Sequence, residues 1–485
     1  MKESERILTD RIFTKLNIQY IIFFSFLMLF MTCGFFISFY NEVSTYFGDS
    51  FFNADGSRIY NNFFNININD FSPVKHPLVP FFLQPLFRFF DYFFRAPRVS
   101  FIFTSSFCGA SIVIIIYKIL SIWTNNNKLS ILMSVIYGIS FSTLIFISVP
   151  ELYIFSALSN SLLFLYLSLL AKKNTKLKLY DYFNIAVLTL ISFGIMVISL
   201  LSNCILILWL LGYINKTNEK KVIKDFIIII TIAASLFLIF SIIQARSYQN
   251  MNDAVFLGKL LTDGSISIYN SSFKMLLYSI LAGSFYALKI NTKDMFFYFQ
   301  NEQDFWYFIP VIFLWSLAIL CYAYKTIIEK KSNSDSLAFA LIIIFILNMA
   351  EFFCYHTSIC FLFSQNVLIY IIILLGLMLD KVLDKFVNIS LFIFIVFQLI
   401  TNSNAIIMLG EIVNETYHNY YEYLMYPCCI VFFLFAGWIL LKKISDKFFS
   451  VLVLSIEEKF NIIISIYMFI VISSSIFLGL FKCKI

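Results

Sequence analysis

Residues 184–213 read NIAVLTLISFGIMVISLLSNCILILWLLGY, 30 residues without a charge. A helix crossing a bilayer needs about 20 apolar residues, so the stretch is too long for one ordinary span. Its flanks sharpen the difficulty. Lys172, Lys173, Lys176 and Lys178 precede it, and Lys216, Lys220, Lys221 and Lys224 follow it. Lysine and arginine collect on the cytoplasmic side of membrane proteins, and a single crossing would send one of these patches to the other side. Two half-length helices that fold back near 194–203 return both ends to the cytoplasm. Broken helices are tolerated in a membrane where protein covers the released backbone groups. The stretch therefore predicts a re-entrant helical hairpin over 184–213, with a membrane protein around it.

The rest of the chain agrees. Of its 485 residues, 60% are hydrophobic, 19% aromatic and 13% charged, and the mean hydropathy is +0.86. Soluble domains carry about 45–50% apolar and about 25% charged residues. So little charge cannot cover a water-facing surface of this size. A soluble enzyme, a disordered chain and a nucleic-acid-binding domain are excluded. The 61 Phe and 28 Tyr stand in uninterrupted apolar runs, unlike the alternating strands of a membrane β-barrel. Richness in Ile, Asn, Lys, Phe and Tyr beside only 14 Gly also reflects an AT-rich coding sequence. The net charge of +7 is read as orientation. The nine cysteines show neither a CxxC pair nor a zinc spacing with histidine, so no metal cage or disulfide framework is indicated.

Apolar runs near 17–40, 99–122, 129–149, 152–171, 226–247, 306–327, 337–355, 359–379, 386–401, 426–441 and 461–480 predict about 11 spans. The first is long enough to be retained rather than cleaved as a signal. Besides the two patches already named, basic residues gather at Lys2/Arg6/Arg11/Lys15, Lys325/Lys330/Lys331, Lys381/Lys385 and Lys442/Lys443/Lys447. With the hairpin in place, all of them thread to the cytoplasmic side. The N-terminus is then inside, the C-terminus outside, and segments 41–98, 248–305 and 402–425 become extracytoplasmic loops. No internal repeat or linker divides the chain, so a single polytopic all-α domain over 1–485 is expected.

Polar chemistry concentrates in the first outer loop, YNEVSTYFGDSFFNADGSRIYNNFFNININDFSPVKHPLVPFFLQPLF at 40–87. It holds Glu42, Asp49, Asp55, Arg58, Asp70, Lys75 and His76, and phenylalanines stand between the charges. Pro77, Pro80 and Pro85 then interrupt an apolar run, predicting short helices at the membrane surface. Further polar residues fall at the same side: Glu151 and Tyr153 in Val149-Pro150-Glu151-Leu152-Tyr153, His356 in Tyr355-His356-Thr357-Ser358, and Ser364 and Gln365 in Phe363-Ser364-Gln365-Asn366. An acidic residue at the hydrocarbon edge is costly and usually has a role; the alternative is that Glu151 faces the positive end of a helix dipole. Arg246 closes a span on the side where positive charge is disfavoured. It is suited either to bind an anion such as a lipid phosphate or to anchor the span by snorkelling.

These pieces, in this order and on one side, resemble the GT-C superfamily of polytopic glycosyltransferases. Ala54-Asp55-Gly56-Ser57-Arg58, Lys75-His76-Pro77-Leu78, Pro150-Glu151 and Phe363-Ser364-Gln365 look like the D-x-x-R, K/V-H-P-L, P-E and F/Y-S-x elements of bacterial relatives. The resemblance covers the N-terminal third by motif and the remainder by topology. It implies transfer of a sugar from a polyprenyl phosphate to an acceptor on the outer face of the membrane. Length, basic inner loops, the re-entrant segment and composition are also similar to the phage-borne serotype-converting O-antigen glucosyltransferases. That likeness implies glucose as the sugar, O-antigen of lipopolysaccharide as the acceptor glycan, the bacterial inner membrane as the location with a periplasmic active site, and a partner flippase and donor synthase.

The residues suit this chemistry. Such a transfer needs a carboxylate to take the acceptor's hydroxyl proton and cations on the departing phosphate. Asp55, Asp49 and Glu42 compete for the first role. Asp55 is favoured because Gly56 permits a tight turn and Arg58 is close enough to hold its carboxylate ionised; the structural alternative is an Asp-Gly turn closed through the backbone. Arg58, Lys75, His76 and Arg246 are candidates for the phosphate. Asp70, Glu151, Tyr153, His356, Ser364 and Gln365 are candidates to line the site or the acceptor. No cofactor is implied, and a divalent metal is compatible with this set but not indicated. No glycine fingerprint for a nucleotide sugar appears. The rivals are an O-antigen polymerase or ligase, for which the dominant outer loop is expected late and arginine-rich, and a lipid-linked oligosaccharide flippase or other transporter, which predicts charges within spans and a weak repeat.

Overall fold

A computed structural model of the chain describes residues 2–37, 78–124, 126–197, 199–216, 218–247, 278–287, 290–291, 298–299, 308–328, 333–353, 357–380 and 384–414. Among these residues the chain is helical, apart from Ile290–Asn291 paired antiparallel with Tyr298–Phe299. In chain order the helices are α1 (Lys2–Ile37), α2 (Val79–Phe82), α3 (Gln84–Phe94), α4 (Pro97–Trp123), α5 (Asn127–Gly138), α6 (Phe141–Ser148), α7 (Tyr153–Lys173), α8 (Leu179–Ile195), α9 (Ser199–Asn215) and α10 (Glu219–Ser247). A π-helical turn, Tyr278–Ala282, precedes α11 (Ile309–Ile328), α12 (Asn333–Phe353), α13 (Thr357–Leu379) and α14 (Asp384–Asn414).

Among the described residues, five helices are long and apolar enough to cross a bilayer: Ile18–Ile37 of α1, α4, α7, Glu219–Phe240 of α10 and Lys385–Leu409 of α14. α5 and α6 meet the same test as a pair bent by 51°. The fold is thus an all-helical bundle of membrane-crossing helices. α4, α7 and α13 form its centre; residues 364–380 of α13 and its C-terminal turn are buried throughout, as expected of a helix apolar on every side. α10 and α14 stand at the periphery with open apolar faces, Ile223, Ile227, Leu238 and Ile239 on one and Phe386, Ile389, Phe392 and Ile393 on the other.

The uncharged stretch at 184–213 forms most of α8 and α9. α8 runs antiparallel to α7: the Tyr166 hydroxyl donates to Asp181 at 2.8 Å near one end, and the Ser192 hydroxyl donates to Asn160 nearer the other. Asn203 then donates to the Ser192 hydroxyl at 2.8 Å. On a continuous helix residues 192 and 203 would stand about 16 Å apart, so this bond requires the chain to double back between α8 and α9. The tip lies beside the start of α7, where the Ser199 and Ser156 hydroxyls meet at 3.0 Å. Leu78 holds it there. Its N–H donates to the Gly194 carbonyl at 2.9 Å, and its side chain comes within 2.5 Å of where a Cβ on residue 194 would lie. Only glycine leaves room for that approach.

The run at 129–149, continuous in sequence, bends where α5 gives way to α6. Phe26 packs into the space a side chain at Gly138 would need. The backbone groups released at the bend are taken up by side chains from distant helices and by the turn at 282–287. Asn402 of α14 donates to the carbonyls of Ile139 (2.7 Å) and Phe285 (3.0 Å), and its oxygen accepts the Ala287 N–H (2.8 Å). Gln398 donates to Phe285 as well, at 2.9 Å. The first N–H groups of α6, on Phe141 and Ser142, reach the carbonyls of Phe285 and Ser284 at 3.1 and 3.2 Å. Buried irregular backbone survives in a membrane only when so satisfied.

α14 also continues as helix through Asn414, past the apolar run at 386–401 and into the segment read from sequence as the start of a loop, because Ala405–Leu409 restores its apolar character.

Candidate functional site

Two of the sequence elements singled out above, Pro150-Glu151 and Ser364-Gln365, lie within the described residues and converge on one end of the bundle. α6 stops at Ser148. Val149 is extended (φ −101°, ψ 133°), as a residue before proline prefers, and Pro150 has no N–H to continue the helix. The Ser105 hydroxyl takes up the Ile147 carbonyl at 2.7 Å. Glu151 follows, 5% exposed, and its Oε2 accepts the Leu152 N–H at 3.1 Å. α7 begins at Tyr153, whose buried ring packs on Phe146 (5.3 Å between centroids). Phe146 in turn packs on Phe361 of α13 at 5.4 Å. Phe87 of α3 sets its ring against Phe155 of α7 at 5.3 Å. The Glu151 carboxylate thus stands at the junction of α6 and α7, at the end of the bundle where α4 and α13 begin and where α3 packs.

Ser364 and Gln365 sit one turn deeper, both fully buried. The Ser364 hydroxyl donates to the Phe361 carbonyl at 2.6 Å. The Gln365 amide reaches across to the bend between α5 and α6: its N–H2 donates to the Tyr137 hydroxyl (2.6 Å), and its oxygen accepts from Ser142 (3.0 Å) and Thr143 (3.3 Å). In this arrangement Gln365 fastens α13 to the bend and positions the wall beneath Glu151.

Glu42, Asp49, Asp55, Arg58, Asp70, Lys75, His76 and His356 lie outside the described residues, as do 38–77, 415–485 and most of 248–305. The end of the Lys75-His76-Pro77-Leu78 element is placed: Leu78 seats it on the tip of the α8–α9 hairpin, beside the start of α7 and near Glu151. Arg246 belongs to the last turn of α10, and its side chain is outside the description. Among the described residues no group of three or more His, Cys, Asp or Glu side chains is placed to hold a metal ion.

Reading for charge passed over a second set of polar residues inside the apolar helices. Asn160, Ser192, Ser199, Ser202, Asn203 and Asn348 form a buried seam between α7, α8, α9 and α12, where Asn348 donates to Ser202 at 2.9 Å. Their signal was present as Asn and Ser recurring three and four residues apart in uncharged runs.

The other end of the bundle has a different character. There Trp123 of α4 donates to Ser168 of α7 at 3.1 Å and packs on Trp209 and Tyr213 of α9, while Trp209 donates to Ser336 of α12. Asn215 of α9 donates to Asp225 of α10 at 3.4 Å. Lys172, Lys173, Lys176 and Lys178, and Lys216, Lys220 and Lys224, all exposed, surround this layer. No family model matches the chain, and neither does any curated protein. Fold and site together define a polytopic helical membrane protein with one lysine-rich end, where Asp181 and Asp225 are buried, and with Glu151 buried at the opposite end.

Proposed function

We propose that this protein is a membrane glycosyltransferase of the GT-C kind. It moves a monosaccharide, glucose in the narrower reading, from a polyprenyl phosphate to a cell-envelope glycan such as O-antigen. The observation that carries this reading is the convergence of Pro150-Glu151, the start of α13 and the end of the Lys75-His76-Pro77-Leu78 element on one end of the bundle. These elements lie far apart in sequence and carry the resemblance to that superfamily. The lysine-rich end is then cytoplasmic by the positive-inside rule, in a bacterial inner membrane, and the Glu151 end is periplasmic.

In this mechanism the acceptor hydroxyl gives its proton to a first-loop carboxylate, Asp55 in preference to Asp49 or Glu42. The acceptor oxygen forms its bond to the anomeric carbon as the bond to the phosphate oxygen breaks, and polyprenyl phosphate leaves. Arg58, Lys75, His76 and Arg246 are the cations available to the charge that develops on the phosphate. Glu151 and Tyr153 line the acceptor side. The test is transfer in proteoliposomes from a panel of polyprenyl-phosphate sugars to isolated cell-envelope glycans. Saturable transfer from one donor is expected, whereas activity with a nucleotide sugar alone would overturn the reading.

A lipid-linked oligosaccharide flippase is the second reading, favoured by the bend between α5 and α6, since transporters place bent helices at their binding sites. Movement of a fluorescent lipid-linked oligosaccharide across the vesicle membrane without any sugar transfer would select it.

A further inference from the structure

α3 reads QPLFRFFDYFF over Gln84–Phe94 and has two apolar faces. At about 100° per residue, Gln84, Phe87, Phe90 and Phe94 share one side. Gln84 and Phe87 are buried there, and the rings of Phe90 and Phe94 meet Phe103 of α4 at 4.8 and 5.2 Å. Phe89, Tyr92 and Phe93 occupy the opposite side and are 56%, 79% and 63% exposed. Their rings touch one another, Phe89 to Phe93 at 4.9 Å and Tyr92 to Phe93 at 5.7 Å. Arg88 and Asp91 fall along one edge between the two faces, and Arg95 is the left-handed C-cap residue (φ 49°) that follows the last turn. Asp91 accepts from the Ser100 hydroxyl at 3.3 Å, which ties it to the bundle, while Arg88 is half-buried and Arg95 exposed.

A helix in water would not hold three large rings open side by side, and a helix crossing the hydrocarbon would not carry an arginine and an aspartate within 11 residues and a second arginine at its C-cap. An apolar face with a charged edge is the pattern of a helix lying in the bilayer interface. The contacts of α3 with Phe101, Phe103 and Phe155, all within two turns of the starts of α4 and α7, put it at the level of those helix ends. Aromatic rings settle at that depth, and an arginine there reaches lipid phosphate with its planar fork. Arg98 is otherwise employed, since its guanidinium donates to the Phe35 carbonyl at the end of α1 (3.4 Å).

We propose that α3 is an in-plane helix whose Phe89–Tyr92–Phe93 face lies in bilayer lipid and whose Arg88 and Arg95 bind the phosphate of an anionic glycerophospholipid. The inference rests on the membrane placement of the bundle and is independent of sugar transfer. The full-length protein, with p-benzoylphenylalanine in place of Phe93, is put into nanodiscs of phosphatidylcholine containing one-fifth phosphatidylglycerol and irradiated. Mass spectrometry of the peptide that carries residue 93 then identifies what it has captured. Lipid adducts are expected, with phosphatidylglycerol several-fold above its share of the bilayer. The excess should disappear in Arg88→Gln/Arg95→Gln and persist in millimolar inorganic phosphate. Adducts to the chain's own peptides in place of lipid would overturn the placement of the face. Phosphatidylglycerol captured only in proportion, an excess that survives the double substitution, or one that free phosphate removes would each overturn the phosphate site.

Discussion

Asn402 uses both of its N–H groups and its oxygen on backbone groups of the bend and the turn, and two of them, the Ile139 carbonyl and the Ala287 N–H, have it as their partner. Asn402→Leu orphans the Ile139 carbonyl and the Ala287 N–H, while Phe285 keeps Gln398 and Phe141 as donors. An orphaned buried group costs about 1–3 kcal/mol, and side-chain hydrogen bonds in membranes average about 0.6 kcal/mol, so a loss of about 2–3 kcal/mol is expected. Thr401→Val is the control, because among the described residues the Thr401 hydroxyl bonds only to its own helix. Reversible unfolding in mixed micelles should find it within about 0.5 kcal/mol of the parent. Glu151 poses the question of charge. Glu151→Gln keeps an oxygen for the Leu152 N–H but no negative charge, so under the glycosyltransferase reading transfer should fall by about tenfold or more with unfolding unchanged. Equal rates would reduce Glu151 to a turn residue. For the base, Asp55→Asn should lower transfer about 10²–10⁴-fold. A near-parent rate in that variant beside a dead Asp49→Asn or Glu42→Gln moves the role along the loop, and three active variants would remove it.

At the scale of elements, two glycines in the α8–α9 pair have opposite expectations. A Cβ at Gly194 meets Leu78 at 2.5 Å, whereas one at Gly212 meets nothing within 4 Å. Gly194→Ala should therefore lose about 1–3 kcal/mol by overpacking. Gly212→Ala, in a helix, should gain up to about 1 kcal/mol, and the same unfolding measurement compares the two. The sequence made the length of this stretch and its lysine flanks plain, and Pro150 announced the end of α6. The bend at 139–140 was illegible, because Gly-Ile-Ser inside an apolar run is common in unbroken helices too. What produces it is the packing of Phe26 on Gly138 and the reach of Asn402, contacts between residues more than a hundred positions apart. For the same reason the segments around 282–287 and 402–409 read as loops: their polar residues satisfy backbone in the interior, and periodicity cannot distinguish that use from exposure to water.

For the whole molecule, hydrophobic composition and span lengths made the class of fold legible, and the lysine patches pointed to one end of the bundle. The meeting of Pro150-Glu151 with the start of α13 was not legible, since no spacing records which helices become neighbours. Orientation is tested by single cysteines labelled from either side of sealed vesicles. Lys220→Cys and Lys176→Cys should react only from the cytoplasmic side, and a cysteine at Asn53 only from the opposite one. Labelling of Lys220→Cys from outside would overturn the placement of both ends of the α8–α9 pair.

The bond from Asn402 to Ile139 also sets an order of events during synthesis. The bent pair is made early and its amide partner 263 residues later, after α7 through α13 have left the ribosome. Until α14 enters the membrane, the bend holds a bare carbonyl among lipids and half-packed helices. A ribosome stalled at residue 390 should hold a chain whose 139–142 region is still open to cleavage or labelling, and one stalled far beyond residue 414 should hold a chain in which it has closed.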